Sequence, residues 1–300
     1  MQPSRTLLAI HSIVYCAIIG AYGIANWSSV QPVAASIKGD APIALVVSDT
    51  VILPVSTAVS PITRIIGDPH HRLPVQQGTS RGSILMYHYV RSGVDPAIDP
   101  LGYRLSVTPQ LLDAQLTALK TAGLKEVDMS HYRAGEGNSR TVTFTFDDGY
   151  EDFYTDAYPI FLRHNWRATL YVVSGFIGKK GYLTAPQIQE LSQAGFEIGV
   201  HTVDHNDLAH QSPDAQHHEI FDSKAVIDAL IGKSATAFCY PAGRFNDSAI
   251  ATVKQAGFVS ATTTEPGSAT LEKTDWFLLP RIRVGPSQSP QILLKNVLTG

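Results

Sequence analysis

The chain has 300 residues, 44 % of them hydrophobic, and a formal net charge of −3. These numbers allow one large domain or two small ones with a sizeable core, and the lack of any basic block excludes a polyanion such as nucleic acid as partner. Cys16 and Cys239 lie in an apolar run and a predicted strand, so no disulfide framework is expected.

Residues 7–27 are almost free of charge; Arg5 precedes them and Lys38 is the next basic residue. Their length is near the ~20 residues that span a bilayer, and the charge placement puts the N-terminus in the cytoplasm. Residues 1–28 therefore read as a signal anchor, or as a signal peptide cut near Val33-Ala34-Ala35. Either route exports the protein, anchored in the inner membrane facing the periplasm or cell exterior, or secreted. Residues 29–81 are rich in Ser, Pro, Val and Ala and read as a linker or a strand packed on the domain. Within them 43–59 is apolar, but Asp49 and Pro54 argue against a second span, since Asp at a helix centre costs roughly 2.5–3.5 kcal/mol.

From Gly82 to Gly300 strand and helix signals alternate, so 82–300 reads as one domain. Strands are expected at 83–88, 141–146, 168–173, 196–200, 235–240, 258–262 and 279–284. A helix over 109–122 has Thr108 as N-cap and Leu111, Leu112, Leu116 and Leu119 on one face. Others follow at 152–165, broken near Pro159, at 185–194, ended by Gly195, at 213–231, closed by Gly232, at 246–256 and at 290–298. The alternation predicts an α/β fold with a parallel sheet, and a closed or nearly closed (β/α) barrel fits the strand count better than an open sheet.

Five polar clusters follow directly on predicted strands: His88, Asp147-Asp148, His201 with His205, the turn Tyr240-Pro241-Ala242-Gly243, and Arg281. In a parallel barrel the strand C-termini share one rim, where active sites lie, so these groups can meet. The i, i+4 spacing of His201 and His205 places both rings on one side of a helical turn. Asp148 is the natural third ligand. Two imidazoles and one carboxylate leave coordination positions open, as in a catalytic centre. They suit one divalent ion, Zn²⁺ first, with Co²⁺, Ni²⁺ or Fe²⁺ as alternatives. Asp147 turns to the other side of the strand and is free to act as base on a water.

These strings resemble the polysaccharide deacetylases, carbohydrate esterase family 4 or the NodB homology domain. The first motif of that family, TFDDG, stands unchanged at 145–149, and its second, H-[ST]-x-x-H, is His201-Thr202-Val203-Asp204-His205. The resemblance spans about 82–300. It implies a distorted β/α barrel and metal-dependent removal of acetyl groups from N-acetylated polysaccharide or oligosaccharide, with Asp147 as base and Asp148, His201 and His205 as ligands. The third motif, usually R-x-P-Y-G, departs: Cys239 stands where an arginine normally steadies the base. The turn persists, so the Ala242 N–H is a candidate oxyanion donor. Arg281, or else Arg244, is the candidate replacement guanidinium.

The usual C-terminal L-x-H motif is absent. The string Leu85-Met86-Tyr87-His88 at the end of the first strand looks instead like the circularly permuted arrangement of exopolysaccharide deacetylases acting on poly-N-acetylglucosamine. If the first strand closes against the last, His88 reaches the rim as proton donor. Asp275 is a candidate to orient it. Tyr150, Tyr240 and Trp276 are candidates to stack on sugar faces and equally core candidates, with the core favoured for Tyr240. An amidohydrolase for a small cyclic amide and a binding module without activity are the competing readings.

Overall fold

The structure is a computed structural model that describes residues 81–270 and 275–299. The expected anchor, the linker up to its last residue, the apolar run 43–59 and the cleavage point lie outside the described residues. Among the described residues no helix is long and apolar enough to cross a membrane.

The strands in chain order are β1 (Arg81–Tyr87), β2 (Tyr89–Val90), β3 (Ser106–Val107), β4 (Lys125–Glu126), β5 (Thr141–Phe146), β6 (Thr169–Val172), β7 (Glu197–Val200), β8 (Ala237–Cys239), β9 (Ser260–Pro266), β10 (Ala269–Thr270) and β11 (Leu279–Arg283). Parallel pairings run β1–β5–β6–β7–β8–β9–β11. The ring closes where β11 pairs with β1, Leu85 opposite Ile282. The result is the closed parallel barrel expected from the strand count. Short β4 and β10 flank the lower ends of β5 and β1.

Side-chain alternation explains why these residues make this barrel. In β5 the sequence TVTFTF sends Val142, Phe144 and Phe146 outward into the main core, where they meet Leu112, Leu116, Phe161 and Trp166. The intervening Thr143 and Thr145 turn inward, and both are fully buried. The interior also holds Ile84, Tyr171, Ala237, Cys239 and Leu279. Gly199 on β7 makes room for Tyr171: a Cβ there would lie 2.6 Å from the ring.

The outer helices start where their caps predict. Thr108 accepts from Leu111 N–H at the head of Pro109–Thr121. Thr184 and Gln187 form a capping box for Ala185–Gln193, and Asn246 caps Asp247–Gln255. Two expected helices are interrupted. The first opens with a wide π turn, Phe153–Ala157, before Tyr158–His164, with Pro159 in the first α turn, because proline has no N–H to continue the ladder. The second divides into Pro213–His217, a π turn His218–Asp222 and Ser223–Ile231.

The lower end of the barrel is plugged by Met129–His131 and the following turn Tyr132–Glu136. The Tyr132 hydroxyl donates to the carbonyls of Gly82 and Ala269, both at 3.3 Å. Trp276 packs edge-on against Tyr132 beneath the Arg133 guanidinium. The strand C-termini, left free of this plug, form the upper rim.

Candidate active site

β5 delivers Asp147 to the rim, and the Asp147 N–H donates to Tyr87 O at 3.0 Å, which sets the ends of β1 and β5 side by side. Asp148 and Gly149 then both take left-handed backbone, each with φ of 75°. That sharp turn, rather than simple strand alternation, parts the two carboxylates. Asp147 points into the barrel toward Arg281, and Asp148 toward the histidine pair.

Asp147 is 3 % exposed. Arg281 reaches up the interior from β11 and forms a bidentate pair with it, Nη1 to Oδ1 and Nη2 to Oδ2, both at 2.7 Å. The remaining Arg281 donors are met by Thr145 Oγ1 at 2.8 Å, Thr263 O at 2.8 Å and Cys239 Sγ at 3.2 Å. All five donors of a buried guanidinium thus have partners, the condition for keeping such a charge away from water. Burial alone would raise the Asp147 carboxyl, but Arg281 outweighs it and holds the group below its usual value. Arg244, the alternative considered from sequence, pairs with Asp207 on the surface at 3.0 Å.

His201 follows β7, and its Nδ1 lies 2.7 Å from Cys239 O. A carbonyl only accepts, so Nδ1 is the donor and Nε2 of a neutral ring carries the lone pair. That Nε2 lies 3.4 Å from Asp148 Oδ1, and His205 Nε2 lies 3.3 Å from the same oxygen. Asp148 Oδ1 is buried without a hydrogen-bond partner among the described residues. Ligand atoms about 2.0–2.1 Å from a tetrahedral centre must sit roughly 3.3 Å apart. Two imidazole nitrogens 3.3–3.4 Å from one carboxylate oxygen, with all three atoms within 4.8 Å of one another, fit a divalent cation, and the bond from His201 Nδ1 to a backbone carbonyl is the outer-shell contact that orients metal-ligating imidazoles. The set Asp147, His201 and Cys239 is equally compact, but Arg281 already places a positive charge there.

The i, i+4 spacing does not trace the helical turn expected from sequence. Residues 201–207 form a loop in which Thr202 and His205 have φ of 67° and 59°. The spacing fixed how far apart the rings could be, and the loop path brings them together.

His88 stands just beyond β1, its Nε2 3.9 Å from Asp147 Oδ2. Its Nδ1 is buried without a hydrogen-bond partner among the described residues. Burial lowers its pKa, against the opposing pull of Asp147 and Asp148. Asp275 does not orient it: its carboxylate accepts from Phe277 N–H at 2.9 Å in the turn before β11, at the start of that strand. Ala242 lies in the turn Pro241–Gly243 after β8, in left-handed backbone with φ of 52°.

The aromatic candidates need correction. Tyr240 is fully buried between Phe238 and Phe245 in the outer core, because it points outward like Phe238 two residues earlier. Trp276 belongs to the lower plug. Tyr150 does border the site, but its faces are covered by Tyr89 at 3.8 Å and Tyr182 at 5.1 Å between ring centroids. Arg91 lies over Tyr89, Phe176 packs against Tyr182, and Lys179 lies over Phe176. Tyr89 and Tyr182 were missed from sequence, although Tyr89 directly follows His88. Thr145, which backs Arg281, shares the inward face of β5 with Asp147 and was legible from alternation.

The sequence model of the family described as polysaccharide deacetylase matches residues 134–261. YxkH of Bacillus subtilis (strain 168), a candidate polysaccharide deacetylase, is 33 % identical over 211 residues, covering 69 % of this chain and 72 % of that protein. The chain belongs to the polysaccharide deacetylase family. The deacetylase is also similar to the Streptococcus pyogenes deacetylase PplD, solved in complex with acetate, at 32 % identity and a TM-score of 0.68 over 73 % of this chain and 99 % of that one. The poly-beta-1,6-N-acetyl-D-glucosamine N-deacetylase of Staphylococcus aureus (strain MRSA252) is 24 % identical over 270 residues, 81 % of the deacetylase and 91 % of that protein. The family places the deacetylase among hydrolases of C–N bonds other than peptide bonds.

Proposed function

We propose that this deacetylase is metal-dependent and removes acetyl groups from N-acetylglucosamine units of a polysaccharide outside the cytoplasm, releasing acetate. The observation that carries the metal reading is the buried Asp148 oxygen, without a hydrogen-bond partner among the described residues, facing two imidazole nitrogens at 3.3–3.4 Å. The polymer is suggested by the Staphylococcus aureus relative, whose length the chain spans almost fully. Export rests on residues 7–27, and fractionation of cells tests it.

Asp148, His201 and His205 would hold the ion, which supplies polarisation of the acetamide carbonyl and a lowered pKa for a nearby water. Asp147, kept ionised and aimed by Arg281, takes a proton from water as that oxygen bonds to the acetyl carbon. The Ala242 N–H is the candidate donor to the oxyanion. His88 faces the same space as Asp147 and gives a proton to the amine nitrogen as the C–N bond breaks. The products are acetate and a free amino sugar. General acid–base help of this kind is typically worth about 10²–10⁴ in rate.

Acetate release from N-acetylglucosamine oligomers, with and without chelator, tests the reading. Release should need the metal. Asp147→Asn should abolish it, by about 10² or more, while metal remains bound. Wild-type protein that releases nothing from any such oligomer would sink the proposal.

A further inference from the structure

Both histidines of the candidate metal site ride on a loop with no regular structure. Its shape depends on two residues in left-handed backbone, Thr202 and His205. A β-branched threonine with positive φ is held there only when its surroundings over-determine it. The surroundings grip the loop from two sides. On one side Ser174 N–H donates to Thr202 O at 3.0 Å and Gly175 N–H to Val203 O at 2.9 Å. Gly175 permits that approach, since a Cβ there would lie 2.5 Å from Val203 O.

On the other side stands Glu219, 2 % exposed. Its Oε2 accepts from the N–H groups of Val203 at 2.9 Å and Asp204 at 3.0 Å, and its Oε1 from Asn206 Nδ2 at 2.8 Å. Ser223, one turn further, donates through Oγ to Thr202 O at 2.8 Å. Glu219 lies in the π turn His218–Asp222. Such turns inside α-helices are often found at functional sites because they redirect a side chain that an unbroken helix would place elsewhere. The carboxylate has no ion-pair partner among the described residues; its charge is met by the three N–H groups of the loop.

We propose that Glu219 is a positioning residue for the metal site: it braces the stretch between His201 and His205 so that both Nε2 atoms face Asp148 before the ion arrives. The inference rests on the metal reading above. Its consequence is that Glu219 sets metal affinity and coordination geometry without touching the ion or the substrate.

The test is titration of the full-length apoprotein with Zn²⁺ against a competing chromophoric chelator, together with the visible absorption spectrum of the Co²⁺-loaded form. Glu219→Ala should weaken affinity roughly 10–100-fold, the range for outer-shell partners, and lower or shift the Co²⁺ bands. Glu219→Gln keeps one oxygen for the two backbone N–H groups, and its amide can meet Asn206 once that side chain flips; it should bind within about threefold of wild type by that match of donors and acceptors. Should Glu219→Ala fail to fold, Glu219→Asp keeps the charge but is too short to reach all three donors, and should lie between. Glu197 is the control. It is a buried carboxylate at the lower end of the barrel that accepts from Met129 N–H and from Ser130 and Thr169 hydroxyls, and Glu197→Gln should lower thermal stability with affinity unchanged. Unchanged affinity and spectrum in Glu219→Ala would overturn the inference, and so would an equal loss in Glu197→Gln. A wild-type protein that binds no metal would instead remove the metal reading itself.

Discussion

The pairing of Asp147 with Arg281 shows how one site can be rebuilt from a different strand. A buried carboxylate needs a cation, and geometry allows only one. Cys239, fully buried beneath Arg281 Nη2, leaves the volume that the guanidinium from β11 occupies. Arg281→Met would strand the Asp147 charge, and should cost about 3–5 kcal/mol in urea unfolding with a fall in kcat. Cys239→Arg alone should also destabilise, because two guanidiniums would compete for one carboxylate in a closed space. Combining Cys239→Arg with Arg281→Met should cost less than the sum of the two single changes, since the residues share a partner. Strict additivity in the double-mutant cycle would mean that the two positions do not share the Asp147 contact. The sequence made Asp147, Asp148, His201 and His205 legible because they sit in dense polar strings after apolar runs. It left Trp276 open between core and sugar site and only leaned to the core for Tyr240, because an aromatic side chain serves both equally well. Their places are decided by strand face and strand end.

At the level of elements, the barrel interior works by matching large residues to small ones. Tyr171 on β6 fills the space above Gly199 on β7, and Arg281 passes 5.8 Å from its ring. Gly199→Ala would drive a methyl into that ring, and should cost about 1–3 kcal/mol, as overpacking does. His201 lies two residues further along the same inward face, so the strain reaches a metal ligand and metal affinity should fall with stability. Adding Tyr171→Leu should restore part of both losses in chelator titration and urea unfolding; no recovery would show that the contact is not the cause. Helix starts were readable here because Thr108, Thr184 and Asn246 combine a capping side chain with a following apolar period. The π turns were not, because a change from one helical pitch to another leaves hydrophobic spacing nearly intact.

For the molecule as a whole, closure was legible from the alternation of strands and helices, whereas the plug was not: residues 128–136 carry no strong periodic signal, and their burial depends on where the lower rim falls. That plug surrounds a group of acids. Glu126 on β4 is pushed by burial up to about 7, with Asp128 adding to the rise and Arg167 opposing it. Asp152, near the upper rim, is likewise raised by burial to about 6. A carboxyl whose folded pKa exceeds its unfolded value holds a proton in the native state that the unfolded chain has released. Its contribution is therefore complete below the ordinary carboxylate range, near 4.5 for Glu126, and is lost as pH climbs through about 7. Asp147 and Asp148, both lowered, act in the opposite sense at more acid pH, whereas Asp152 and the buried Glu197, both raised, share this window. Thermal unfolding of metal-free protein should accordingly show stability falling between pH 5 and 7.5, by on the order of 1–2 kcal/mol for Glu126 once solvent screening is allowed for. Glu126→Gln, which cannot ionise, should remove its own share of that slope and be the more stable protein at pH 7.5. An unchanged slope in Glu126→Gln would assign the pH dependence to another group and place Glu126 in a wetter environment than the edge of β4 provides.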